Sequence, residues 1–285
     1  MTQGDAMPGS RRSTGRFTRA TAVDRLDDGT WAATIATDWD IMGNTNGGYL
    51  LALVGRALRA ATGRPDPVTV TAHYLSPGHA GPATIATEVV RSGRRFTTVR
   101  ATLRSEERDL LSVLATYGDL GDGPGRAGGD EESPELVLAA PPELPGPEDC
   151  VPIVADPPFP PPFMAQVELR LHPDDAGFAQ GRPSGTPLLR GWFRLRDGEE
   201  PDTVALLCAV DSFPPTIVNA DVPLAWTPTI ELTAHIRARP APGWLAVACS
   251  TRFLTGGFLE VDGEVWDSTG RLVAQSRQLA LVPRA

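Results

Sequence analysis

"VTVTAHYLSPG" (68–78) and "IELTAHIRARP" (230–240) share the tripeptide Thr-Ala-His. The offset between them, 233 − 71 = 162 residues, also pairs Phe96 with Phe258, Val99 with Val261 and Leu110 with Leu272. It further sets "GGY" at 47–49 on "AVD" at 209–211, and no gap is needed from there to the end of the copy. Short periods mark solenoids. A period of 162 in 285 residues marks two copies of one domain.

Working outward, each copy has the same order of parts. In the first, "TWAATIA" (30–36) alternates like a strand, and "GGYLLALVGRALRAATG" (47–63) has helical character. Four β-branched, alternating segments follow: "VTVTAHYL" (68–75), "ATIATEVVRSG" (83–93), "RFTTVRATLRS" (95–105) and "LLSVLATYGDL" (110–120). Turn residues separate them, as in a meander. The second copy repeats this with a helix expected over "PDTVALLCAVDSF" (201–213). Within 49–61 the polar residues are Arg56 and Arg59, on one side, and Val204–Val210 has none. A helix apolar nearly all round must be buried, and a long antiparallel sheet supplies the covering surface. The expected fold class is therefore α+β: a double hotdog, two tandem units each with a long helix wrapped by an antiparallel sheet.

The boundaries follow from composition. Residues 1–22 read as a flexible N-terminus, 23–120 as the first hotdog and 164–285 as the second. Between them, 121–163 hold 12 of the 28 prolines and 6 glycines and read as an extended linker.

Bulk properties exclude several functions. A net charge of −9 argues against nucleic acid. All 26 basic residues are Arg, which removes Schiff-base and P-loop lysine chemistry. The three cysteines (Cys150, Cys208, Cys249) form neither a disulfide framework nor a zinc pattern, and the four histidines show no ligand spacing. No secretory signal and no membrane span are read, so a cytoplasmic protein without metal or cofactor is expected. The absence of a G-x-S-x-G elbow disfavours a serine hydrolase. His73 and His235, at equivalent positions, read as half-buried strand residues.

The two copies differ at informative places. Asp211 stands where the first copy has Tyr49, Thr229 where it has Pro67, and Gln278 opposite Thr116. Two readings of Asp211 stand on pattern alone. As a buried carboxylate it would be costly unless paired or protonated, with a pKa raised towards the range of a general base. As a cap it would end one helical segment before Pro214. Thr229 and Gln278 weigh for the first reading, because a proton acceptor and two neutral groups can orient one water.

The order of elements, the "GG" opening the first helix, "HYLSPG", the helix Asp and the C-terminal "VAxxxQ" together resemble the acyl-CoA thioesterase II family. The resemblance covers roughly 25–120 and 163–283. It implies Asp211, Thr229 and Gln278 as a catalytic set, hydrolysis of an acyl-CoA substrate, and no cofactor. Tyr49 stands where the family often has Gln, and Glu231-Leu232 where it commonly has Asp-His. Backbone N–H groups of Gly47, Gly48 and Tyr49 are expected to face the oxyanion. The turn with Arg91, Arg94 and Arg95 is the candidate for CoA phosphates, with an ordinary solvated turn as its alternative. A hotdog hydratase or dehydratase would want an Asp–His pair on its helix, and neither helix carries a histidine. A non-catalytic acyl-thioester binder is the other rival. Unpaired meander edges invite a homo-oligomer.

Overall fold

The computed structural model describes residues 15–121, 136–157, 159–220, 222 and 227–282. Among these, fourteen strands form one antiparallel sheet: β1 (Val23–Arg25), β2 (Trp31–Ile35), β3 (Asp66–Tyr74), β4 (Gly81–Ser92), β5 (Thr97–Ser105), β6 (Arg108–Gly118), β7 (Val151–Ile153), β8 (Val167–Leu171), β9 (Leu188–Leu195), β10 (Thr229–Ile236), β11 (Leu245–Ser250), β12 (Leu254–Thr255), β13 (Phe258–Trp266) and β14 (Leu272–Leu281). Their order across the sheet is β1-β2-β4-β5-β6-β3-β10-β14-β13-β11-β9-β8-β7, with β12 on β13. The two halves meet at β3 and β10. There Thr71 faces Thr233, and their hydroxyls hydrogen-bond at 2.9 Å. The repeated Thr-Ala-His therefore marks the pseudo-twofold axis itself.

Pairing registers refine the repeat. The 162-residue offset holds through β3, β4 and β5. It is 160 in the outer strand, since Trp31 pairs with Ile85 and Gly191 with Val247. It is 163 in the last strand, since Leu114 lies opposite Thr71 and Arg277 opposite Thr233. The hairpin 267–271 thus has one residue more than 105–108. A one-residue shift flips a strand's faces. The counterpart of Gln278 is consequently Ala115, not Thr116, and that of Leu110 is Val273; the ungapped repeat is corrected to this extent.

The buried faces alternate as the pattern requires. Val99, Ala101 and Leu103 on β5 and Leu232, Ala234 and Ile236 on β10 point inward onto one core that spans both halves. The helix α2 (Gly47–Thr62) lies on this face. Asn46 caps it by accepting from the Tyr49 N–H at 2.8 Å, and Gly63 at φ 63° ends it.

Three expectations are corrected. The second helix is short, α3 (Ala205–Ala209) instead of 201–213. Asp202 Oδ1 accepts from the N–H groups of Val204 and Ala205 and fixes its start. After it the chain tightens: the N–H groups of Asp211 and Ser212 donate to carbonyls three residues back, and Pro214-Pro215 bars continuation. The N-terminus is not loose throughout. Residues Arg16–Ala20 form a helix, α1, because Phe17 is buried and Tyr49 Oη donates to the Ala20 carbonyl at 2.7 Å. Nor is the proline-rich segment only a spacer. Val151–Ile153 extends the sheet on β8, and Trp192 Nε1 donates to the Pro145 carbonyl at 2.9 Å. Residues 1–14 and 122–135, assigned to tail and linker, lie outside the described residues. Among the described residues no helix is long and apolar enough to cross a membrane.

Candidate active site

The short α3 lies against α2 because α2 presents glycines to it. A Cβ on Gly48 would come within 2.8 Å of Asp211 Cβ and 3.0 Å of the Cys208 and Leu207 carbonyl oxygens. This close approach brings the turn after α3 to the amino end of α2. Asp211 Oδ2 accepts from the Gly48 N–H at 2.7 Å, and Asn46 Nδ2 donates to the Asp211 carbonyl at 3.0 Å. Asp211 is thus a helix cap after all, but of the other half's helix.

Thr229 and Gln278 reach the same place from the sheet. A register shift between Thr229 and Glu231 sets Thr229 opposite Ala280, whose side chain is buried. Without that bulge Thr229 would share the outward face of Glu231 and Thr233; a bulge re-aims a side chain in this way. Gln278 lies on the inward face opposite Leu232. Gln278 Nε2 donates to Thr229 Oγ1 and, at 3.4 Å, to Asp211 Oδ1. The three residues converge, each partly buried.

Burial pushes the Asp211 carboxyl up to about 6, against the Gly48 N–H and Gln278, which favour the ionised form. The amino end of α2 adds its dipole on the side of the anion. Oδ2 is committed to Gly48, whereas Oδ1 holds only the long contact with Gln278. Around neutral pH this carboxylate is ionised yet more basic than an exposed one.

The oxyanion expectation needs correction. The Gly48 N–H is taken by Asp211 and the Tyr49 N–H by Asn46. Among the described residues, the first-turn N–H left without an acceptor is that of Gly47. The Tyr49 side chain turns away: its ring stacks on Trp39 with centroids 4.5 Å apart, and its hydroxyl accepts from the Ala36 N–H. Arg91, Arg94 and Arg95 do not join the site. Their hairpin is level with Thr97 and Tyr117, hence with Pro67. Pro67 is the far end of β3 from Tyr74, about 20 Å away along the strand. In its own neighbourhood the turn is braced by Arg64, which donates to the Gly93 and Arg94 carbonyls.

Two residues beside Asp211 went unread in the sequence: Asn46, which donates to its carbonyl, and Tyr74, whose ring lies against Gly47. Asn46 was legible as a capping residue directly before Gly47-Gly48. Tyr74 gave no such signal. It sits at an inward strand position where an aromatic residue reads as core.

A family model described as the acyl-CoA thioesterase N-terminal domain matches residues 35–118, and one described as the C-terminal domain matches 147–282. An uncharacterised protein of Mycobacterium tuberculosis is 31% identical over 273 residues, covering 86% of this chain and 88% of its own. A crystal structure of a candidate thioesterase II from Thermobifida fusca is 33% identical with a TM-score of 0.83, covering 94% of this chain and 98% of that one. A protein of unknown function with hot dog fold from Alicyclobacillus acidocaldarius is 23% identical with a TM-score of 0.82, covering 96% and 100%. The chain belongs to the acyl-CoA thioesterase family and has its double-hotdog fold.

Proposed function

We propose that the protein hydrolyses an acyl-CoA thioester to the free carboxylic acid and CoA, with Asp211 as general base. The observation that carries this reading is the convergence of Asp211, Thr229 and Gln278 on the amino end of α2. At the related places of the first half stand Pro67 and Ala115, which offer neither acid–base chemistry nor a side-chain hydrogen bond.

In the proposed reaction Asp211 Oδ1 takes a proton from a water that Thr229 and Gln278 orient. The water oxygen adds to the thioester carbonyl carbon. When the tetrahedral intermediate collapses, the C–S bond breaks, and the thiolate leaves with the proton held by Asp211. The pKa near 6 suits both halves of this cycle. A hydratase would need a second proton carrier beside the carboxylate, and among the described residues no histidine hydrogen-bonds to Asp211, Thr229 or Gln278.

Thiol release from acyl-CoAs of graded chain length tests the reading. The wild-type protein is expected to release thiol, and Asp211→Asn to lose about 10²–10⁴-fold in kcat with a small change in KM. Wild-type turnover in the variant removes Asp211 from the mechanism. Loss of the double bond from an enoyl thioester without thiol release would favour the hydratase instead.

A further inference from the structure

Tyr74 closes β3 with its side chain on the inward face, in register with Val70 and Ala72, both buried. Its hydroxyl is buried and has no hydrogen-bond partner among the described residues. Such an orphan costs about 1–3 kcal/mol, so its retention calls for an explanation. The site just described borders it. A Cβ placed on Gly47 would lie 3.1 Å from Tyr74 Cζ and 2.9 Å from Asp211 Oδ2, so those two atoms are at most 3.1 + 2.9 = 6.0 Å apart. The Gly47 N–H beside them is the unclaimed first-turn donor.

From this geometry we infer that Tyr74 is a further catalytic residue: its hydroxyl, with the Gly47 N–H, donates to the thioester carbonyl oxygen and stabilises the charge that develops there. The inference rests on the proposed thioesterase reading. Thr229 and Gln278 come from the second half and hold the water on one side of Asp211. Tyr74 and Gly47 come from the first half and face the carbonyl from the other. No bond to Tyr74 forms or breaks. The carbonyl oxygen gains charge as water adds and returns it as the C–S bond breaks, while the phenolic proton stays on its oxygen. Burial, and after it the charges of Asp211 and Glu231 and the neighbouring Cys208, hold the phenol well above its ordinary range and keep it a donor. Gly47 is needed for the arrangement, because any side chain there would collide with the tyrosine ring.

The test is Tyr74→Phe, which keeps the ring and removes the donor. Expected are a loss of about 10²-fold in kcat, a KM within about twofold of wild type, and a melting temperature equal or higher, since an unpartnered hydroxyl has gone. A second measurement compares two unreactive CoA ligands. A trifluoromethyl ketone analogue, bound as its tetrahedral adduct, should bind about 10²-fold more weakly to the variant, whereas a CoA thioether without a carbonyl should bind unchanged. Wild-type kcat in Tyr74→Phe, equal weakening of both ligands, or a variant that fails to fold overturns the role of Tyr74 and leaves the thioesterase reading standing. A wild-type protein that releases thiol from no acyl-CoA overturns both.

Discussion

Asp211 is held in tension between burial, which favours the protonated acid, and the Gly48 N–H and the amino end of α2, which favour the anion. Burial wins, and two consequences share one pH window. As the proposed base Asp211 must be ionised, so kcat/KM is expected to fall about tenfold per pH unit below about 6, read from a pH–rate profile. For stability the sign is reversed. The folded-state pKa, about 6, lies above the ordinary 3.8, so the folded protein keeps a proton that the unfolded chain loses. The contribution is fully present below about 4 and is lost as pH rises through about 6. At pH 8 the buried charge costs about 2–3 kcal/mol. Asp211→Asn should therefore melt higher than wild type at pH 8 but not at pH 4; equal shifts at both would contradict this account. A residue that lowers stability at the working pH fits a catalytic role better than a purely structural one.

At the scale of elements, the site depends on how closely two helices approach. Gly48 and Gly55 both face α3, but they tolerate a methyl group differently. At Gly48 the added Cβ meets two backbone carbonyl oxygens, whereas at Gly55 it meets the end of the Leu207 side chain at 2.9 Å. Gly48→Ala is expected to destabilise by about 1–3 kcal/mol and to lower kcat, because it must push Asp211 away. At Gly55→Ala the helix-propensity gain of about 1 kcal/mol offsets a side-chain adjustment. Denaturant melts of the two variants check the contrast, and equal losses would contradict it. The elements also define what was legible in the sequence. Inward–outward alternation and the repeated tripeptide located β3 and β10 and the axis between them. The bulge that turns Thr229 inward left no separate mark, because a bulge is a pairing event between strands. The one-residue insertion in the hairpin 267–271 was hidden for the same reason. Gln278 was found, yet set against the wrong counterpart. The length of α3 was overread because apolar content reports burial and not where hydrogen bonding stops. The competing side chains of Asp202 and Ser212 and the proline pair decide that limit. Tyr74 stayed hidden because a hydroxyl inside an apolar position is distinguished only by the partners it lacks.

At the scale of the whole molecule, the two like halves supply a symmetry that the proposed site breaks. The halves are tied by a continuous sheet through β3 and β10 and by charged seams. Asp202 pairs with Arg56 and Arg59 of α2, and buried Asp66 accepts from Arg239 and Thr203. Burying such charges pays only when they are paired, so these seams hold the halves at one spacing. That spacing matters because the proposed site belongs to neither half alone. The second half supplies Asp211, Thr229 and Gln278; the first supplies Asn46, Gly47, Gly48 and Tyr74. At the opposite end of the pseudo-twofold, Pro67 and Ala115 stand at the places of Thr229 and Gln278, while the Tyr49 hydroxyl is spent on Ala20 and Ala36. A twofold fold should therefore work with a single site. The most direct measurement is calorimetric titration of the wild-type protein with an unreactive acyl-CoA thioether. One molecule bound per chain is the predicted result, and two molecules bound with equal affinity would contradict it.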